Sequence, residues 1–251
     1  MATDADQYPE QDFDLLARWE QRHWWFAWRN LILLRAFRRF APRLHSYLEV
    51  GCGTSFVLRG ISDAYPNARL MAAELHLAGI GIAKRRVPRA IFEQMDVRSM
   101  TSSDEFDAIG AFDVIEHIRE DQLVLRNFHH ALKATGTLFI SVPQHPALWS
   151  AFDEHAMHQR RYTRAELFLK LEAAGFKIVY ATSFVTTLLP VMWAARRRSN
   201  ANKTYDPAAE LRVNPSLNAS LYLAMAMDYA LIMTGMSLPF GGSLLVVARK
   251  Q

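Results

Sequence analysis

The chain has 251 residues and one cysteine, Cys52, so an intramolecular disulfide is not available to it. A reducing compartment is the simpler setting for such a chain, and the expected location is the cytoplasm. A membrane-spanning run is also missing. Leu217 to Phe240 is largely apolar but carries Asp228, and a span needs about 20 apolar residues, with a central Asp costing about 2.5–3.5 kcal/mol. The Phe184–Ala195 run is too short to span. Both segments read as buried or lid helices, and contact with a lipid surface through Arg196–Arg198 stays open. The start is acidic and polar, which predicts no secretory signal. No internal repeat is present.

A strong charge of one sign is lacking as well. The net charge is +4 and the pI about 9.3. The basic excess is local: Arg35, Arg38, Arg39 and Arg43, then Lys84, Arg85, Arg86 and Arg89, then Arg196, Arg197 and Arg198. Without interleaved exposed aromatics, these runs read as solvated faces and predict no nucleic-acid partner. An apolar fraction of 51% is too high for disorder, and the length suits one α/β domain with additions.

Glycine is sparse, yet two of the eleven fall together in Tyr47-Leu48-Glu49-Val50-Gly51-Cys52-Gly53-Thr54-Ser55. This stretch reads as a buried strand ending in a glycine turn, the place where open α/β sheets bind nucleotides. A dinucleotide fingerprint needs a small residue three places after the second glycine, and that place holds the large Phe56. Glu49 would also repel a pyrophosphate but would welcome an ammonium group. S-adenosylmethionine (SAM) has an ammonium group and no phosphate. Cys52, inside the turn with no histidine beside it, reads as a small packing element.

Apolar spacing predicts a helix over residues 10–40. Strands and helices then alternate: strand Ser46–Val50, helix 55–64, strand 68–73 ending at Glu74, helix 78–85, strand 90–94 ending at Asp96, strand Phe106–Phe112 ending at Asp113. A helix running to about Ala134 is expected to stop at Gly136, before a strand over 137–142. Thr163-Arg164-Ala165-Glu166 predicts a helix start and Gly175 its end, followed by a sixth strand over 177–182. Residues 185–240 are too long for a loop in a compact domain and predict a helical insert before a final strand over 243–248.

Four of these strands end in acids: Glu49, Glu74, Asp96 and Asp113. In a parallel sheet such ends converge on one crevice. Glu74 lies at the spacing that suits a ribose diol, whose two hydroxyls a carboxylate can accept. Asp96 could accept from an adenine amino group, with the amide of Val97 facing the ring.

With Phe106-Asp107…Phe112-Asp113-Val114-Ile115-Glu116-His117-Ile118, Gly136-Thr137-Leu138-Phe139-Ile140-Ser141-Val142-Pro143 and Arg160-Arg161-Tyr162-Thr163…Leu171-Glu172-Ala173-Ala174-Gly175-Phe176, the chain resembles the class I SAM-dependent methyltransferases, in particular the bacterial small-molecule and quinone-type branch. The glycine turn fits that family's acid-x-G-x-G-x-G pattern, with Ser55 in place of the third glycine. The resemblance covers about residues 44–183 and a terminal strand. It implies an α/β, Rossmann-like three-layer sandwich, with a seven-stranded, mostly parallel sheet and an antiparallel last strand. Residues 1–43 would be a helical arm or lid. Residues 44–251 would be the SAM-binding domain, with the insert at about 185–240.

The same resemblance implies that Glu49, Gly51, Cys52 and Gly53 hold the methionine end of SAM, Glu74 and Leu75 the ribose, and Asp96 and Val97 the adenine. Phe112 and Asp113 would line the pocket. The aromatic run His23–Arg29 itself suggests a lid, in which Trp25 or Phe26 could pack on the sulfonium and Arg29 could meet the SAM carboxylate. The alternative for that run is a helix face packed on the sheet or on a partner.

For the acceptor, His117 is the first candidate base or orienting group, beside Glu116. Asp113-x-x-Glu116-His117 also resembles an acid-x-x-Glu-His set that binds a divalent ion in some relatives; further ligands would have to come from His155 or His158, and the sequence assigns no metal. Gln144 and His145 could face the substrate from the loop after the fifth strand, while His158, Arg160, Arg161 and Tyr162 could anchor that loop. The expected activity is methyl transfer from SAM, leaving S-adenosylhomocysteine, to a small apolar or aromatic acceptor at oxygen. Nitrogen or carbon acceptors, a membrane-associated quinone or isoprenoid acceptor, a catalytically silent SAM-binding partner protein, and a monomer or a homodimer all remain open.

Overall fold

The computed structural model describes residues 9–10, 12–199, 206, 208 and 211–251. Residues 1–8 and 11 of the expected arm and residues 200–205, 207, 209 and 210 of the expected insert lie outside the described residues. Seven strands form one sheet: β1 (Ser46–Val50), β2 (Arg69–Glu74), β3 (Ile91–Gln94), β4 (Phe106–Phe112), β5 (Leu132–Pro143), β6 (Phe176–Phe184) and β7 (Ser243–Lys250). Their spatial order is β3-β2-β1-β4-β5-β7-β6. Only β7 is antiparallel to its neighbours. The sheet is therefore mostly parallel with an antiparallel last strand, as the family resemblance implies.

The helices are α1 (Asp12–Trp19), α2 (Trp24–Phe40), α3 (Phe56–Ala64), α4 (Leu77–Arg86), α5 (Asp121–Ala131), α6 (Ala151–His155), α7 (Arg164–Ala173), α8 (Leu189–Ser199) and α9 (Pro215–Met233). Three layers follow from side-chain alternation along the strands. Leu138, Ile140 and Val142 of β5 join one core with Val124, Phe128 and Leu167 of α5 and α7. Phe139 points the other way and joins Leu33, Phe37 and Leu58 of α2 and α3; its ring stacks on Phe37 at 3.9 Å.

Chain direction across the sheet reverses between β1 and β4, since β2 and β3 lie to one side and β5 to the other. That switch point opens a crevice at the carboxyl ends of the strands. Two sequence expectations are corrected. The helix over residues 10–40 is two helices, broken at Glu20–His23, where the His23 ring caps α2 by accepting from Trp25 N. Gly136 does not end a helix. α5 stops at Ala131 and Leu132 already pairs with Phe106. The register then jumps to Ala108–Thr137, a bulge that Thr135 turns with a positive φ of 66°.

Asp228 explains the polar residue in the apolar insert. It is 1% exposed and accepts from Thr186 N (2.5 Å), Thr187 N (3.0 Å) and Thr187 Oγ1 (2.5 Å). The carboxylate ties α9 to the loop after β6. Among the described residues, no helix is long and apolar enough to cross a membrane.

Candidate active site

The β1–α3 turn owes its shape to two glycines and a serine. Gly51 and Gly53 have φ of 61° and 51°, and Ser55 also sits in the left-handed region at 59°. A Cβ on Gly51 would lie 2.6 Å from Val114 Cγ2. Ser55 donates its N–H to Cys52 O at 2.7 Å. The place of the third glycine is thus a position that wants positive φ, which serine occupies at some strain. Cys52 is buried, and burial with the nearby Glu74 and Glu49 pushes its thiol well above the usual range. It is a packing element.

Above the turn lies a cavity of about 880 Å³. Trp25, Arg29, Glu49, Gly51, Cys52, Gly53, Glu74, Leu75, Asp96, Val97, Phe112, Asp113, Glu116 and His117 all line it. His145 and Gln144 do not, which corrects the expectation that they face the substrate. β7 inserts beside β5, so Gln144 N donates to Gly242 O (2.9 Å) and His145 N to Tyr162 O (3.0 Å). His145 turns toward the insert, where its ring stacks with Phe240 at 6.2 Å.

The four acids have different surroundings. Glu49 is 3% exposed and accepts from Tyr47 Oη at 3.1 Å. Burial outweighs that bond and the charge of Arg29, and raises its carboxyl to about 8. Glu74 accepts from Gly53 N (2.8 Å), Leu75 N (2.8 Å) and His76 N (3.1 Å), so it clamps the turn to the start of α4. Asp96 accepts a forked contact from Arg98 Nε and Nη2, with Nη2 at 2.6 Å, which lowers its pKa. Asp113, at φ 58°, pairs with Arg29 at 2.5 Å. The Arg29 guanidinium lies 4.5 Å over the Trp25 ring. Arg29 therefore already holds one carboxylate, and its Nε has no hydrogen-bond partner among the described residues.

The arm and the insert roof the cavity together. Asn218 of α9 accepts from Trp24 N (3.1 Å) and donates to Arg22 O (3.0 Å). Trp28 of α2 packs on Tyr222 and Tyr229 of α9 at 5.8 and 5.3 Å. Leu188, Val191, Met192, Leu217 and Leu221 supply apolar wall.

At the far end, burial and the neighbouring His158 push the His117 imidazole down to about 3, so it is neutral. Its ring meets that of His158 at 4.6 Å. Burial and the charge of Asp113 push Glu116 well up. The loop residues anchor as expected: Arg161 Nε donates to Asp153 (2.7 Å), and Tyr162 Oη donates to Asp121 (2.7 Å), which Arg160 also meets at 2.5 Å. Burial alone would raise Asp153, but His158 and Arg161 outweigh it and hold it at about 2.

Sequence reasoning misses two side chains that fix the turn, Glu20 and Arg86. Glu20 is 2% exposed, accepts from Thr54 Oγ1 at 2.7 Å and pairs with Arg86. Arg86 Nη1 also donates to Thr54 O at 2.9 Å. Arg86 therefore belongs to the site rather than to a solvated face; the side chains of Arg197 and Arg198 lie outside the described residues. Asp153 is missed too, although Ser150–Asp153 spells a capping box that the structure contains.

A seven-stranded sheet of this order, with a glycine turn and an acid-rimmed crevice at its switch point, defines a Rossmann-like methyltransferase fold. The chain belongs to the methyltransferase-domain family, whose model matches residues 18–181; it is a class I SAM-dependent methyltransferase by family. It is 29% identical over 96 residues to a malonyl-[acyl-carrier protein] O-methyltransferase of Bacillus anthracis, covering 38% of this chain and 36% of that one. It is 25% identical over 161 residues to a protein of Mycolicibacterium smegmatis named as a probable S-adenosylmethionine-dependent methyltransferase, covering 63% and 61%. The chain thus spans about a third to three fifths of the length of these curated relatives. The structure of the [4+2]-cyclase SpnF superposes with a TM-score of 0.56 at 22% identity, covering 86% of this chain and 80% of that one. That likeness concerns fold alone, so the activity has to be argued from the site.

Proposed function

We propose that this chain transfers the methyl group of SAM to a small apolar or aromatic acceptor, at oxygen. One observation carries this: a single cavity joins the acid-rimmed glycine turn to an apolar chamber roofed by α2, α8 and α9. The residues fit SAM. Glu49 is a buried carboxyl that forms no ion pair among the described residues, with the Arg29 charge acting only from further off, and suits an ammonium group once it loses its proton. The bare Gly51 and Gly53 backbone admits the methionine portion. Glu74 and Asp96 retain lone pairs for a ribose diol and an adenine amine. Trp25 and Phe112 cover the middle, and Arg29 bridges from Asp113 toward the methionine end.

SAM, when bound, supplies a methyl group already activated on sulfur, so the protein's task is orientation, worth about 7–11 kcal/mol in favourable cases. The apolar roof keeps water from competing with the acceptor. A group as weakly basic as His117 is a poor proton acceptor; its neutral ring instead takes a hydrogen bond from the acceptor hydroxyl and aims the oxygen. The test is calorimetry with S-adenosylhomocysteine, followed by transfer of labelled methyl from SAM to a panel of phenols, catechols and carboxylic acids. Product binding without labelled product from any acceptor would favour a silent SAM-binding protein.

A second reading has its own support. The outward side chains of α9 include Leu223 at 72% and Met227 at 60% exposure, and Asp228 is the helix's one charged residue. Surface helices usually carry charge on that face. A lipid-soluble acceptor reached at a bilayer surface would account for this. Co-sedimentation with anionic vesicles tests it; a protein that stays in the supernatant removes it.

A further inference from the structure

Tyr47 lies two residues before Glu49 on β1, so both side chains leave the same face of the strand. The Tyr47 ring is fully buried in the core between the sheet and α2, where it meets Phe37 edge to face at 5.3 Å. Its hydroxyl donates to Glu49 Oε2 at 3.1 Å, and Glu49 is its only hydrogen-bond partner among the described residues. A phenylalanine would pack the same space without burying a hydroxyl, so packing alone does not account for the phenol.

The neighbouring strand is cut back to admit this hydroxyl. Gly110 of β4 is in register with Glu49. A Cβ on Gly110 would lie 2.2 Å from Tyr47 Oη and 2.7 Å from the Phe112 ring. Glycine weakens a strand interior and often marks a close approach. Here the approaching group is the hydroxyl that meets Glu49, on the floor of the cavity that Glu49 and Phe112 line.

We propose that Tyr47 is a positioning residue for the ammonium group of SAM: its hydroxyl fixes the Glu49 carboxyl through Oε2 and steadies its charged form, and Gly110 leaves the space this needs. The proposal rests on the methyl-transfer reading, which makes that ammonium group the partner of Glu49. Burial and Glu49 push the Tyr47 phenol well up, so it keeps its proton and remains a donor. The other groups facing Glu49 are Arg29 of α2, the Leu58 amide of α3 and Cys52 in the turn. A hydrogen bond to the charged form favours that form. Tyr47 thus restrains a carboxyl that burial raises to about 8, and removing the hydroxyl makes the carboxyl harder to ionise. An ammonium group needs it ionised. Affinity therefore rises about tenfold per pH unit below the carboxyl's titration and levels off above it.

The test is Tyr47→Phe, which keeps the ring on Phe37. Calorimetry compares S-adenosylhomocysteine, which has the ammonium group, with 5′-methylthioadenosine, which has the adenosine and the sulfur but no amino-acid end. At pH 7 the variant should bind S-adenosylhomocysteine about 10–100-fold more weakly than the parent, the loss of one hydrogen bond to a charged group. It should bind 5′-methylthioadenosine within a few-fold of the parent, which also shows that it is folded. The parent's affinity for S-adenosylhomocysteine should level off near pH 8, whereas the variant's should still be rising at pH 9, so the gap narrows. On a Glu49→Gln background, Tyr47→Phe should cost only a few-fold. Equal losses for the two ligands, parallel pH profiles, or an undiminished loss on the Glu49→Gln background would each overturn the proposal and leave the methyl-transfer reading standing. A parent that binds neither ligand would remove that reading, and the proposal with it.

Discussion

Glu49→Gln should stabilise the ligand-free protein while weakening its hold on SAM. Burial raises the Glu49 carboxyl from 4.5 to about 8. The folded chain therefore keeps a proton there that the unfolded chain releases near pH 4.5. Between those values the native state binds more protons, so stability falls as pH rises from about 4.5 to 8 and levels off above. At about 1.4 kcal/mol per pH unit, the loss is on the order of 3 kcal/mol at pH 7. Glutamine keeps the shape and can still accept from Tyr47 Oη, but has no proton to lose. The variant should melt about 6–12 °C higher than the parent at pH 7, at roughly 2–4 °C per kcal/mol for a chain of this size. At pH 4.5 the two should melt together. With the charge gone, an ammonium partner loses a charged hydrogen bond worth about 1.5–3 kcal/mol, so SAM affinity should drop roughly 10–100-fold. Parent binding at pH 7 should release about one proton, detectable by calorimetry in buffers of different ionisation enthalpy. Equal melting temperatures at pH 7, or a gain larger at pH 4.5 than at pH 8, would refute the burial account of Glu49. Unchanged SAM affinity would refute its role at the ammonium.

Glu74→Ala should weaken S-adenosylhomocysteine binding more than tenfold and also destabilise the fold by about 1.5–3 kcal/mol, because Gly53, Leu75 and His76 lose their acceptor; calorimetry and urea melts separate the two effects, and unchanged affinity removes the ribose assignment. His117→Ala should cut turnover about 100-fold, the order expected when the acceptor oxygen is no longer aimed, whereas His145→Ala, outside the cavity, should stay within a few-fold; the reverse ranking in a methyl-transfer assay would restore His145. Asp228→Ala should unfasten α9 from Thr186 and Thr187, raising hydrogen exchange there and the acceptor KM while leaving S-adenosylhomocysteine affinity unchanged; protection as strong as in the parent would show that α9 is held by packing alone.

Local patterns explain why the sheet was legible. β1 and β4 have the expected bounds because Ser46–Val50 and Phe106–Phe112 are short, mostly apolar segments followed by Gly51 and Asp113, and each is almost wholly buried. The α5–β5 junction was not legible, since Gly136 signals a helix stop in sequence but serves a bulge in a strand that begins at Leu132. The break at Glu20–His23 hid for a similar reason. Helical spacing continues across it, and Glu20 turns inward only because Thr54 and Arg86, far along the chain, meet it there. Long-range partners of this kind leave no periodic trace.

The same contrast divides the site into two halves. The half proposed to hold SAM is assembled from residues within two places of the ends of neighbouring strands, so strand boundaries alone bring Glu49, Glu74, Asp96 and Asp113 to one rim. The acceptor half is assembled from elements distant in sequence. Trp28 meets Tyr229 across 201 positions, and His158 reaches Glu116 only because Gln159 N finds Glu116 O. No spacing rule predicts such meetings. A change of acceptor therefore needs no change at the rim: the Trp28, Tyr222 and Tyr229 contacts and the length of α9 can vary while the carboxylates stay in register. On the proposed methyl-transfer reading, this division assigns acceptor choice to α2, α8 and α9 rather than to the sheet.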